Sequence, residues 1–235
     1  MKESASASFE AASGERGFQP GPARHLAAWE IISVCSSFLI TAWMVLPFAG
    51  NSKLVAAIPV GLAFGLILLS HRAHGEDARE VGWRTDNFWQ AARLLLLPMI
   101  LAALLILFIG WQAGSLRLDL QRLAGRALWL PVWGLMQEYV MQGYINRRAQ
   151  MLWGKGWRSI LCVALLFALF HLPNPWLMLA TFCGGLLWAW VYQRAPNIPA
   201  LGLSHGVMAL LLASELPASA LRGLRVGFKY FGYNI

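Results

Sequence analysis

Charged side chains are scarce in this chain: 19 Lys and Arg plus 11 Asp and Glu make 13% of 235 residues, about half the roughly 25% usual in soluble domains. Mean hydropathy is +0.54, and the apolar residues fall in long runs instead of periodic stripes, which excludes a soluble enzyme. Polar tracts are short, glycine has no period and there are only three cysteines, Cys35, Cys162 and Cys183. Those absences exclude a disordered chain, a collagenous repeat and a disulfide scaffold. The net charge of +8 does not point to nucleic acid, because the Lys and Arg residues flank apolar runs and form no contiguous patch. The expected partner of the surface is a lipid bilayer.

Seven runs suit helices crossing about 30 Å of hydrocarbon at about 1.5 Å per residue: Leu26–Phe48, Leu54–Ser70, Leu94–Trp111, Ala127–Ile145, Ser159–Leu172, Trp176–Tyr192 and Ile198–Leu216. The fifth is short, and is either buried among its neighbours or extended from the Trp157 end. Backbone amides in lipid need internal partners, so Leu- and Ala-rich runs of this length predict an all-α polytopic bundle over 26–216, with its motif-bearing core at 83–212. Residues 1–25 read as a flexible tail and 217–235 as a basic, aromatic interfacial segment. Between the second and third runs, Thr85 and Asp86 are placed to cap a short interfacial helix. Lys and Arg are more numerous in the segments that face the cytoplasm if the N-terminus lies inside, which sets the expected orientation. The tryptophans near the run ends fit an aromatic belt, and the three cysteines read as packing residues.

Ionisable groups inside hydrocarbon cost at least about 2.5–3.5 kcal/mol each and are functional hypotheses by default. Glu30 lies one turn into the first run and reads as reaching the headgroups. Glu215 closes the last run and reads as solvated, as do His25, His71 and His74. The remainder do not sit near water: Gln137, Glu138 and Gln142 in the fourth run, His171 at the end of the fifth and His205 inside the seventh. Residues four apart share a helix face, so Glu138 pairs with Gln142, Phe167 with His171 and His205 with Ala209. Pro173 ends the fifth helix just past His171. Gly184, Gly185, Gly202 and Gly206 allow backbones in the sixth and seventh helices to approach closely. A polar cavity within the bilayer is the expected product.

The order and spacing of these residues resemble the CPBP family, the CAAX proteases and bacteriocin-processing enzymes, which are glutamate-dependent intramembrane endopeptidases. Its motifs Glu-Glu-x-x-x-Arg-Gly, Phe-x-x-x-His and His-x-x-x-Asn stand here as Gln137-Glu138-Tyr139-Val140-Met141-Gln142-Gly143, Phe167-Ala168-Leu169-Phe170-His171 and His205-Gly206-Val207-Met208-Ala209. The resemblance implies hydrolysis of a peptide bond in a membrane protein or peptide by a water that a glutamate and His171 activate, with His205 as an oxyanion donor. The family's principal acid aligns with Gln137, its arginine with Gln142 and its asparagine with Ala209. The resemblance therefore leaves Glu138 as the acid, relieved of a guanidinium four residues away. Tyr144 and Ser204 are candidate replacements for the missing donor.

Two other readings compete. One keeps the fold without the chemistry, as a non-catalytic membrane binding or immunity protein. The other treats Glu138, His171 and His205 as zinc ligands, without a His-Glu-x-x-His helix to support it; the expectation is no cofactor. The expected location is a bacterial inner membrane.

Overall fold

The computed structural model describes residues 21–48, 52–116 and 120–232. It is 84% helix, with no strand among the described residues. α1, Gly21–Ile40, runs on through a π-helical turn, Thr41–Val45, to Phe48. α2 is Lys53–Ala73, α3 the single turn Ala78–Val81 and α4 Phe88–Gln112. α5, Leu120–Glu138, continues without a break through a π-helical stretch, Tyr139–Asn146, into α6, Arg147–Trp153. α7 is Trp157–Leu169, α8 Pro175–Arg194, α9 Ile198–Glu215 and α10 Ala218–Leu221, with short 3₁₀ turns at Arg222–Leu224 and Gly227–Phe231.

Among the described residues, four helices are long and apolar enough to cross a membrane: Ala23–Phe48, Phe88–Gln112, Pro175–Arg194 and Ile198–Glu215. The chain is a helical membrane bundle, with fewer such helices than the seven runs suggested. α2 contributes only the shorter apolar stretch Ala57–Ala73. α7, extended from the Trp157 end, has 13 residues, which at about 1.5 Å each cannot cross about 30 Å. The α5–α6 rod falls short because Arg126, Gln137, Glu138, Gln142, Asn146 and Arg147 interrupt its apolar residues.

Local sequence sets the ends. Asn174 accepts a hydrogen bond from Leu177 N and Asn197 one from Ala200 N, each at the N-terminus of a helix with a proline in its first turn. Neither Thr85 nor Asp86 caps the helix carrying Trp89 and Leu94: α4 starts at Phe88 behind Asn87 with no side-chain cap, and the capping box of this segment, Asp77 with Glu80, starts α3. Asp86 instead holds Arg79 and Arg84, which bring its carboxyl down to about 2, the Arg84 hydrogen bond being the largest cause. Tyr192 Oη donates to Val81 O at 2.8 Å and Ile198 N to Gly82 O at 2.8 Å, tying the α3 loop to the α8–α9 turn.

Among the described residues, α9 and α5 pack more extensively than any other helix pair. A Cβ on Gly206 would lie 2.6 Å from Pro131 Cα, and one on Gly202 2.7 Å from Leu135 Cα. The small residues thus bring α9 onto α5, in keeping with the close approach expected of the polar helices. Gly185 meets Ala164 of α7 instead.

Most of the expected tail, residues 1–20, lies outside the described residues; 21–25 already belong to α1, and Arg24 donates to Leu152 O at 2.8 Å. At the other end, 217–232 lies beneath the turn that follows His171. Gly227 N donates to Leu172 O at 2.7 Å, and the buried Asn174 amide donates to Leu221 O and Arg225 O at 2.8 and 3.3 Å. The three cysteines are free.

Candidate functional site

Glu138 ends α5 at the start of the π-helical stretch, and its side chain has no exposed surface. A carboxylate there needs a donor, and α9 supplies one: His205 Nδ1 lies 2.8 Å from Glu138 Oε1. The second oxygen, Oε2, is buried without a hydrogen-bond partner. The contact is possible because Gly202 and Gly206 let α9 come within backbone distance of α5 on either side of His205.

His171 follows α7, where Phe170 closes the helix. Its Nδ1 donates to Phe167 O at 2.7 Å, one turn back, which fixes the neutral tautomer and leaves Nε2 as an acceptor. Phe167, 1% exposed, lies between the two imidazoles, with ring centroids 5.2 Å from His171 and 5.6 Å from His205. Both histidines line a cavity of about 1050 Å³, as do Gln137, Trp188 and Ala209. Most of the wall is apolar, and it includes Leu216, Pro217, Ala220, Leu221, Leu224 and Val226 from the segment that follows α9. Glu138 and His205 are thus joined directly, and His171 is linked to His205 through the Phe167 ring. Glu138, however, stands behind His205 and is not on the cavity wall, while Gln137 is.

The other residues singled out from sequence lie elsewhere. Gln142 is fully buried, and its Oε1 accepts from Asn146 at 2.8 Å. Asn146 Oδ1 in turn accepts from Gln150 and Gln193, and Gln193 reaches Ser159. This amide ladder between α6, α7 and α8 is not part of the cavity wall. Tyr144 is not an oxyanion donor, since its ring packs on His71 and lies under the Arg148 guanidinium, 5.1 Å from ring centroid to Cζ. Ser204 has its hydroxyl committed: it donates to Leu201 O at 2.7 Å and accepts from Trp188 Nε1 at 3.0 Å.

Three residues expected in water are not there. Glu30 is paired with the fully buried Arg148 at 2.9 Å and with His74 at 3.2 Å, and accepts from Ser70 at 2.5 Å. His71, 6% exposed, lies 2.6 Å from Glu76. Glu215 is also buried. For Glu30 and His71 the reason is shared: α6 brings Arg147 and Arg148 against α1 and the loop after α2, and a buried guanidinium requires carboxylates. Burial alone would raise the Glu76 carboxyl, but hydrogen bonds from His71 and Arg148 and the charges of Arg148 and Arg147 hold it well below the ordinary carboxylate range.

Sequence reasoning missed Trp188, whose indole lies flat on His205 at 4.5 Å between centroids and 8° between planes. The available signal was its position, mid-helix in α8, far from the interfaces where tryptophan collects. Among the described residues no group of three or more His, Cys, Asp or Glu is placed to hold a metal ion.

Comparison with known proteins gives one match: a family model described as type II CAAX prenyl endopeptidase Rce1-like covers residues 93–211, about half of the 235. No curated protein and no solved structure matches the chain.

Proposed function

The chain belongs to the type II CAAX prenyl endopeptidase Rce1-like family, and on that premise we propose that it hydrolyses a peptide bond of a membrane-associated or C-terminal-tail substrate inside the cavity. One observation carries this reading. Each imidazole on the cavity wall has its Nδ1 tied back, His171 to Phe167 O and His205 to Glu138, so each keeps Nε2 for a ligand.

The chemistry follows from those ties. His171 Nε2 accepts a proton from water as the oxygen attacks the scissile carbonyl carbon. A buried Glu138–His205 pair avoids net charge by holding two protons. His205 Nε2–H then donates to the oxyanion as the carbonyl π electrons move onto oxygen. The proton on His171 passes to the amide nitrogen as the C–N bond breaks, giving an acid and an amine. Glu138 acts through His205 instead of touching the water, which replaces the role the family resemblance implied for it. The wall is mostly apolar, so each of these contacts is stronger there than it would be in bulk water.

The wall also carries Gln137 and Ala209, where the family pattern has an acid and an amide. Those two side chains favour a second reading, a binding or immunity protein that retains the cavity without cleavage. The location that supports either role is a bacterial inner membrane with the N-terminus cytoplasmic, the arrangement favoured by the loop charges.

Reconstitution with candidate membrane peptides separates the two readings. Cleavage by wild type that His171→Ala and Glu138→Gln each abolish supports the enzyme. Peptide binding without cleavage, equal in wild type and both variants, supports the binding protein.

A further inference from the structure

A histidine held only by one hydrogen bond can still swing about it. For His205, small coupled changes of its two side-chain torsions would tilt the ring and move Nε2 along the cavity wall within the give of the 2.8 Å contact to Glu138. Something else must fix the plane of the ring, and α8 provides it. The Trp188 indole lies parallel to the imidazole, 8° between planes at 4.5 Å, on a side chain only 5% exposed.

The indole is itself fixed from three sides. Its Nε1–H donates to Ser204 Oγ at 3.0 Å, and the Ser204 proton is spent on Leu201 O, so the serine presents a lone pair to the indole. Phe167 abuts both rings, with centroids 5.9 Å from Trp188 and 5.6 Å from His205. One turn before Trp188 stands Gly184, where a Cβ would sit 2.6 Å from the indole Cζ3. A side chain at 184 would push the ring off its seat, and glycine leaves the seat open.

We infer that Trp188 is a positioning residue: with Ser204 as its anchor and Gly184 as its clearance, it sets the plane of the His205 imidazole and thereby the direction in which Nε2 meets a carbonyl oxygen. The geometry of the ring stack stands on its own; the catalytic consequence rests on the endopeptidase reading. Misplacing a donor by about 1 Å costs roughly a hundredfold in rate, so the effect belongs in kcat more than in KM.

The test uses the full chain in lipid nanodiscs, as Trp188→Leu, Trp188→Phe, Gly184→Ala and Ser204→Ala. Two quantities are read: the NMR signal of the proton shared by His205 and Glu138, assigned by its disappearance in Glu138→Gln, and kcat and KM for peptide cleavage. Trp188→Leu and Gly184→Ala should broaden or shift that signal and lower kcat about tenfold to a hundredfold, with KM within about twofold. Trp188→Phe keeps a flat ring on the imidazole, and should retain the signal and most of the rate even if its melting temperature falls as far as that of the leucine variant. A merely structural indole would lose rate in step with stability in both. If Leu and Phe variants lose kcat equally, or the shared-proton signal is unchanged in Trp188→Leu and Gly184→Ala, the inference is overturned. Should Trp188→Leu fail to fold, Gly184→Ala and Ser204→Ala decide in its place. If wild type cleaves no peptide, the endopeptidase reading fails, and the proton signal alone judges the role of Trp188.

Discussion

Arg148 grips Glu76 with both ends of its guanidinium, Nη1 on Oε1 and Nη2 on Oε2 at 2.9 Å each, and nothing of the arginine is exposed. The same side chain reaches Glu30 at 2.9 Å, so one residue of α6 joins α1 to the loop after α2. Removing one partner of a buried pair costs about 3–5 kcal/mol, because the other charge is left in low dielectric. Arg148→Ala should lose stability of that order in chemical unfolding, and Arg148→Lys should recover little of it, since an ammonium cannot make the fork.

Acid should weaken the same contact. Glu76 titrates below its ordinary value of 4.5, so its contribution is complete above that pH and drains away as pH falls through the lower, folded-state value. The melting temperature of wild type should exceed that of Glu76→Gln by a constant margin at neutral pH, narrowing only below about 4.5. A margin that already closes between pH 7 and 5 would contradict the assignment.

Gly206 and Gly202 hold α9 against α5, and a methyl group on either meets backbone atoms that cannot yield. Gly206→Ala should cost about 1–3 kcal/mol as an overpacked contact. It should also reduce peptide cleavage more steeply than stability, because separating the helices lengthens the Glu138–His205 bond. Measuring both on the same preparation is the check.

Ala209 lies on the cavity wall one turn past His205, where an amide would be a second oxyanion donor. One such donor is worth about 2.7–4 kcal/mol in other enzymes. Ala209→Asn should raise kcat about tenfold or more if the cavity is catalytic, and leave peptide binding unchanged. No gain in rate would count against His205 as the oxyanion contact.

Asn174 separates into two functions by one substitution. Its Oδ1 caps α8 and its Nδ2 holds Leu221 and Arg225. Asn174→Asp keeps an acceptor for the cap but turns the second oxygen toward two carbonyls. Limited proteolysis should then cut within 217–226 faster than in wild type, while the helical signal of α8 persists.

The cavity residues were legible because the bilayer makes polar side chains conspicuous. Glu138, His171 and His205 stand out at spacings that share helix faces, and the structure joins two by a hydrogen bond and the third through Phe167. Glu30 and His71 were misread for the complementary reason. Near a span end, solvation and pairing leave the same trace in sequence, and the partner that decides between them, Arg148, lies on a distant helix. Tyr144 and Ser204 failed because proximity in sequence to a motif says nothing of which helix face a hydroxyl occupies. Gln137 and Glu138 are consecutive residues of α5, about 100° apart around the helix, so Gln137 meets the cavity while Glu138 meets α9, and which of the two faces which could be read only once the helices were packed.

The ionic knot around Arg148 also orders the birth of the protein. Glu30 and Glu76 leave the ribosome well before the guanidinium that joins them, and until then the partners within their own half are His74 and Ser70 for Glu30 and His71 for Glu76. Only when α6 has been translated does one cation bridge the two acids, so the link between α1 and the loop after α2 is the last part of the knot that synthesis can complete.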